Sequence, residues 1–63
     1  MNFAIIKNIK SNKYLCFDNE YRPLPKNLNQ DGGADNVIIY ANYQEAKRDL
    51  WNNEIVKEVS YVN

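Results

Sequence analysis

The sequence predicts an α+β domain: a small mixed β-sheet carrying one helix on one face, in the order β-β-loop-β-α-β. Three observations predict it. Apolar residues alternate near both ends of the 63-residue chain, at 3–9 and 54–62. A five-residue apolar run, "VIIYA" at 37–41, reads as a buried strand. Between that run and the last alternating segment lies a stretch with helical periodicity.

Residues 3–9 are rich in apolar and β-branched side chains, with Phe3, Ile5 and Ile9 on one parity and Lys7 interrupting. "YLCFD" at 14–18 is the second strand candidate, and "KSNK" between the two carries Ser-Asn, which tolerates tight turns. A β-hairpin is the result. The run 37–41 is apolar on both parities, so it is expected to be a central strand covered on both faces. A helix covers one face only, so the other calls for a second subunit, with Val37 and Ile39 or else Ile38 and Tyr40 at that contact.

The helix is expected over 43–52. Asn42 is a good N-cap and Glu45 comes three positions later, as in a capping box. At 100° per residue, Tyr43, Ala46, Leu50 and Trp51 fall within an arc of about 140°. Asn52 and Asn53 accept the left-handed conformation that closes helices. The final strand, 54–62, puts Ile55, Val59 and Tyr61 on one face, and a right-handed crossover would set it parallel to 37–41. Phe3, Phe17 and Trp51 are assigned to the core, leaving Tyr21, Tyr40 and Tyr61 freer.

The chain reads as one complete domain, 1–63, too small to bury more than about 60% of its unfolded surface. Disulfides within it are excluded because Cys16 is its one cysteine, and the lack of His removes zinc clusters and His-dependent nucleophiles. Cys16 lies between Leu15 and Phe17, where a small inert hydrophobe fits. Carboxylate pairs at Asp31 and Asp35, or Glu54 and Glu58, need a pocket that so short a chain can hardly enclose. "NQDGGADN" lacks the alternating acids of a calcium loop and reads as a turn. No enzyme and no cofactor are expected.

Eight basic residues balance eight acidic ones, so the net positive field of a nucleic-acid binder is missing. No apolar run approaches a membrane span, and Met1-Asn2-Phe3 does not open a signal peptide. A cytoplasmic location with a reduced thiol is expected. What stands out is 21–36, "YRPLPKNLNQDGGADN", longer than most loops in compact domains. Pro23 and Pro25 stiffen it, and Tyr21, Leu24 and Leu28 make it partly apolar. Two readings stay open: a docking arm, or a cap in which Leu24 and Leu28 fold back on the core. On the first, replacing Tyr21 and Arg22 with Ala would weaken binding and leave the melting temperature nearly unchanged. The protein-binding candidates are Tyr21, Arg22, Leu24, Tyr40 and Tyr61, since Tyr and Arg are enriched at interfaces.

"NKYLCFD", then "NYQEAKRDL" and a short closing strand, resembles small uncharacterised proteins of tailed bacteriophages, which pair a Lys-Tyr-Leu strand with an "xEAxxxL" helix, here Glu45-Ala46 to Leu50. That resemblance implies action in the host cytoplasm, by binding and inhibiting a host or defence protein. It assigns no functional residue. The expected function is therefore a non-enzymatic protein binder, present as a homodimer or a tight hetero-complex. The alternative is a small nucleic-acid-binding or transcription-modulating protein.

Overall fold

Asn8 ends the first strand and builds the turn after it. Its Oδ1 accepts from the backbone N–H of Lys10 and of Ser11, both at 3.0 Å, and its carbonyl accepts from Asn12. Asn12 takes the left-handed conformation (φ 59°) that such a turn requires and that Asn tolerates. The computed structural model describes residues 2–26, 28 and 32–60. Strands β1 (Phe3–Asn8) and β2 (Lys13–Leu15) pair antiparallel across this turn, Lys7 with Tyr14 and Asn8 with Lys13.

A second turn comes immediately after β2. Cys16 donates to the Glu20 carbonyl, Asn19 donates back to Cys16, and Asn19 sits at φ 66°. The chain returns as β3 (Tyr21–Arg22), antiparallel to β2 with Leu15 opposite Tyr21. After the helix α1 (Tyr43–Arg48), strand β4 (Glu54–Val59) runs the full length of β1, from Asn8–Glu54 to Phe3–Val59. The four-stranded sheet has the order β3-β2-β1-β4 and carries the helix on one face. This is the expected α+β architecture.

Strand β1 is the centre. Ala4, Ile5 and Ile6 are all fully buried, so consecutive residues are covered on opposite faces. On the helix face Ala4 and Ile6 pack with Ala46, and with Leu15, Tyr40, Leu50 and Val56. On the other, Ile5 packs with Tyr14, Cys16 and Val37, flanked by Leu28, Ile39 and Val59. This second face gathers its cover from within the chain, with Leu28, Ile39 and Val59 left partly buried at its margin. Leu28 reaches it from the long loop, and Lys57 crosses it, its Nζ donating to the Tyr14 hydroxyl at 3.3 Å.

The run 37–41 corrects the expected central strand. It contributes two isolated bridges, Val37 to Cys16 and Tyr40 to Ala4, and Ile38 donates to the Leu15 carbonyl at 3.1 Å. These bonds fill the gap where β2 departs from β1. Tyr40 and Glu58 lie on opposite sides of Ala4, both antiparallel to it, so the run and β4 point the same way, as expected, with β1 between them. Every strand pair in the sheet is antiparallel.

Two further expectations change. The helix stops at Arg48, capped by Asp49, whose N–H bonds to the carbonyls of Ala46 and Lys47. Its start is as expected, with the Asn42 side chain accepting from the Glu45 N–H. Assigning the large aromatics to the core fails for two of three: Phe17 is 59% and Trp51 79% exposed, while Phe3 is half-buried. Both exposed residues sit past the end of a regular element, Phe17 after β2 and Trp51 after the helix. On β4, Ile55 is exposed and Val59 half-buried, and Tyr61 lies outside the described residues.

Candidate functional site: a cleft beside Trp51

Because the helix ends at Arg48, the chain turns sharply before β4 begins. Leu50 still donates to Lys47, and the chain then closes a tight turn in which Glu54 N–H donates to the Trp51 carbonyl at 3.2 Å. Asn53 occupies the left-handed region (φ 67°) that this turn needs. The Trp51 N–H, in return, donates to Oε1 of Glu54 at 2.6 Å. The turn holds the Trp51 backbone firmly while its indole stands out in solvent.

Beside it, between the end of the helix and the β2–β3 side of the sheet, lies a cleft of about 520 Å³. Leu15, Ile38 and Leu50 give it apolar walls, while Arg48, Asp49 and Trp51 belong to its helix side. Two tyrosine–carboxylate pairs line it as well. Tyr21 donates to Oε2 of Glu54 at 2.5 Å, and Tyr40 donates to Oδ2 of Asp49 at 2.8 Å. Glu54 is only 9% exposed. Both its oxygens accept hydrogen bonds, one from the Tyr21 hydroxyl and one from the Trp51 N–H.

These pairs set the electrostatics of the cleft. The Tyr21 phenol is held above its ordinary range, first by its bond to Glu54 and then by burial. Tyr40 is pushed up further, by burial first and then by Asp49, with the Glu54 charge adding to the effect. Both hydroxyls therefore stay protonated and keep their protons directed at carboxylates.

Of the candidate binding residues, the fold brings Tyr21 and Tyr40 together in this cleft. Arg22, one position along β3, pairs instead with Asp18, through Nη1 to Oδ1 at 2.9 Å and Nη2 to Oδ2 at 2.7 Å. This bidentate pair holds the Asp18 carboxyl at about 2, below its ordinary 3.8, and raises Arg22. Leu24 is 41% exposed and lines a separate groove of about 270 Å³ with Pro25, Leu28 and Val59. Tyr61 lies outside the described residues, as does Asp31 of the Asp31 and Asp35 pair that the sequence argued against. Glu54 and Glu58 do not form a pair: the first faces Tyr21 and the second lines the groove beside Leu24.

The opening half of 21–36 is therefore no free arm at its start, because Tyr21 and Arg22 are a sheet strand. Its far end is tied down too, with Asp18 and Phe17 donating to the carbonyls of Ala34 and Asn36. Leu28 caps the core, and Leu24 is left outward. Sequence reading missed Trp51, Asp49 and Arg48 as candidate site residues and weighed Glu54 only as a partner of Glu58. The signal for Trp51 is the Asn-Asn pair directly after it, which marks a turn where the periodicity alone places the tryptophan on a helix face.

No family model, no curated protein and no solved structure matches this chain. Among the described residues, no helix is long and apolar enough to cross a membrane.

Proposed function

We propose that this chain is a non-enzymatic binding domain that docks on a protein target through the face bearing Trp51 and its cleft. The observation that carries the reading is the 79% exposure of Trp51 beside a concave surface lined by Tyr21 and Tyr40. Tryptophan and tyrosine dominate binding energy at protein interfaces, where a rigid aromatic fills a desolvated pocket. An indole left in water beside an open cleft is the arrangement from which such an anchor works. The phage resemblance supplies the target class: a host or defence protein in the host cytoplasm, inhibited because its own working surface is covered. Leu24, in the second groove, extends the contact beyond the cleft.

The test places a photoreactive phenylalanine analogue at position 51 and at the exposed Lys10 as control, followed by crosslinking in host lysate. A target crosslinked from position 51 and not from position 10 is then purified, and its affinity measured against wild type and Trp51→Ala. Loss of about 2 kcal/mol or more is expected, as for an interface hot spot. Equal affinity of Trp51→Ala overturns the reading. If the species captured is nucleic acid, with affinity falling steeply with salt, the alternative function takes its place. If it is a second copy of the chain, light scattering shows a homodimer assembled through this face.

A further inference from the structure

The geometry points to a specific occupant for the cleft: the guanidinium of an arginine side chain presented by the protein partner, resting on Trp51 and facing Glu54 and Asp49. This rests on the docking reading above and deepens it.

The first ground is a charge without a counter-ion. Glu54 is nine-tenths buried and both its oxygens accept hydrogen bonds, yet among the described residues the one ion pair is Arg22 with Asp18. Buried charges in folded proteins are ordinarily paired, because desolvation otherwise disfavours them strongly. Arg48 lines the same cleft but stands beyond ion-pair distance of Glu54 and Asp49. Two carboxylates thus share a cavity with one guanidinium that forms an ion pair with neither.

The second ground is the hydrogen-bond inventory. Tyr21 and Tyr40 each direct their hydroxyl hydrogen to a carboxylate, and the backbone N–H of Trp51 is directed to Glu54. What these groups have left to offer a ligand is lone pairs on phenol and carboxylate oxygens. The cleft's other polar groups, Arg48, Asn19 and the Trp51 indole N–H, carry donors. Where Tyr21, Tyr40, Asp49 and Glu54 meet, however, the surface is one of acceptors, which favours a charged group that carries donors and no acceptors, Arg or Lys. The third ground is the exposed indole, the best ring for holding a cation over its face. Arginine fits better than lysine, since its planar and weakly hydrated head stacks on an indole and presents a fork of donors to carboxylates.

The test is an NMR titration of the isotopically labelled full chain with acetyl-Gly-Arg-Gly-amide, and separately with its citrulline counterpart, which keeps the shape and removes the charge. Saturable shifts are expected at the Trp51 indole N–H and at the Asp49 and Glu54 amides with the arginine peptide. The citrulline peptide should bind at least roughly tenfold more weakly. Asp49→Asn, on an exposed residue, should weaken the arginine peptide by a similar factor, and Glu54→Gln provides a second variant if it folds. Equal binding of the two peptides overturns the assignment. So does the absence of cleft shifts at millimolar peptide, or loss of binding in Arg48→Gln, which would mean that Arg48 holds the peptide backbone and the carboxylates do not hold its guanidinium. The two readings fail separately. A target crosslinked from position 51 with no arginine-peptide binding removes only the arginine; peptide binding with no crosslinked target removes protein docking and leaves the cation site.

Discussion

The hydroxyl of Tyr21, on the edge strand β3, donates to the carboxylate of Glu54 at the start of β4, at 2.5 Å. The two strands lie at opposite edges of the sheet, so this bond spans its whole width on the helix side. Tyr21→Phe leaves one oxygen of a buried carboxylate without its donor, a loss of about 1–3 kcal/mol. For a domain of this size each kcal/mol lowers the melting temperature by about 4–8 °C. Thermal denaturation monitored by circular dichroism should show the drop, and an unchanged midpoint would mean water replaces the hydroxyl. The double replacement of Tyr21 and Arg22 with Ala, expected from sequence to be thermally silent, should instead destabilise, with nearly all the effect from Tyr21.

Alkaline pH should weaken the fold through the same tyrosines. Tyr21 and Tyr40 both titrate above the ordinary tyrosine value of 10.0 in the folded chain. A raised folded pKa means the native state holds its proton more tightly than the unfolded chain does. The stability from both groups is therefore complete below pH 10 and declines as pH rises through their folded values. Urea denaturation midpoints at a series of pH values should fall above about pH 10 in wild type. A Tyr40→Phe variant should show a shallower fall; an identical slope would place the titrating group elsewhere.

Acid acts through Asp18, on the opposite principle. Its carboxyl is lowered from 3.8 to about 2 by Arg22, so the stability it contributes is present above pH 3.8 and is lost as pH falls toward 2. The pair is at the surface, so added salt should reduce the effect. Asp18→Asn should flatten this part of the stability profile at low ionic strength. A profile equally steep in the variant would assign acid sensitivity to another carboxylate.

Cys16 is fully buried among Ile5, Tyr14 and Val37, its thiol donating weakly to the Tyr14 carbonyl at 3.6 Å. A disulfide-exchange reagent should therefore modify it only through unfolded molecules. The labelling rate should rise with urea in step with the unfolded fraction. Rapid modification of the native protein would show that the apolar face opens locally. Cys16→Ser should destabilise by about 1–3 kcal/mol, since it buries a hydroxyl in an apolar cluster.

The parts of the fold legible in the sequence are those governed by neighbours in the chain. Asn42 capping Glu45, the turn at Asn12 and the pattern of β1 are local, and each is found. The rule that a strand apolar on both parities is central holds for Ala4-Ile5-Ile6, not for 37–41. Both runs carry the same signature, and β1 is the one that occupies the centre. Which of two such runs takes the middle depends on long-range pairing, which periodicity does not encode. Trp51 escapes the helical arc for a related reason, since capping at Asp49 ends the helix before the tryptophan is reached. The cleft is legible only in fragments, because Tyr21, Tyr40, Asp49 and Glu54 converge from four separate segments.

Of the four strands, β1 is synthesised first and its longest partner, β4, last. Phe3 pairs with Val59, so the β1–β4 ladder cannot close until ribosomal synthesis has passed that residue. At ordinary elongation rates the nascent chain waits on the order of seconds with its most apolar strand open along one edge. The hairpin of β1 and β2 can form early, but loop-closure entropy delays the ladder that completes the sheet. A chain ending before residue 54 would retain the hairpin sequence and lack every β4 partner of Ala4, Ile5 and Ile6. Nonsense mutations anywhere upstream should therefore yield insoluble fragments and no shortened folded forms, making inclusion in aggregates a direct readout of where translation stopped.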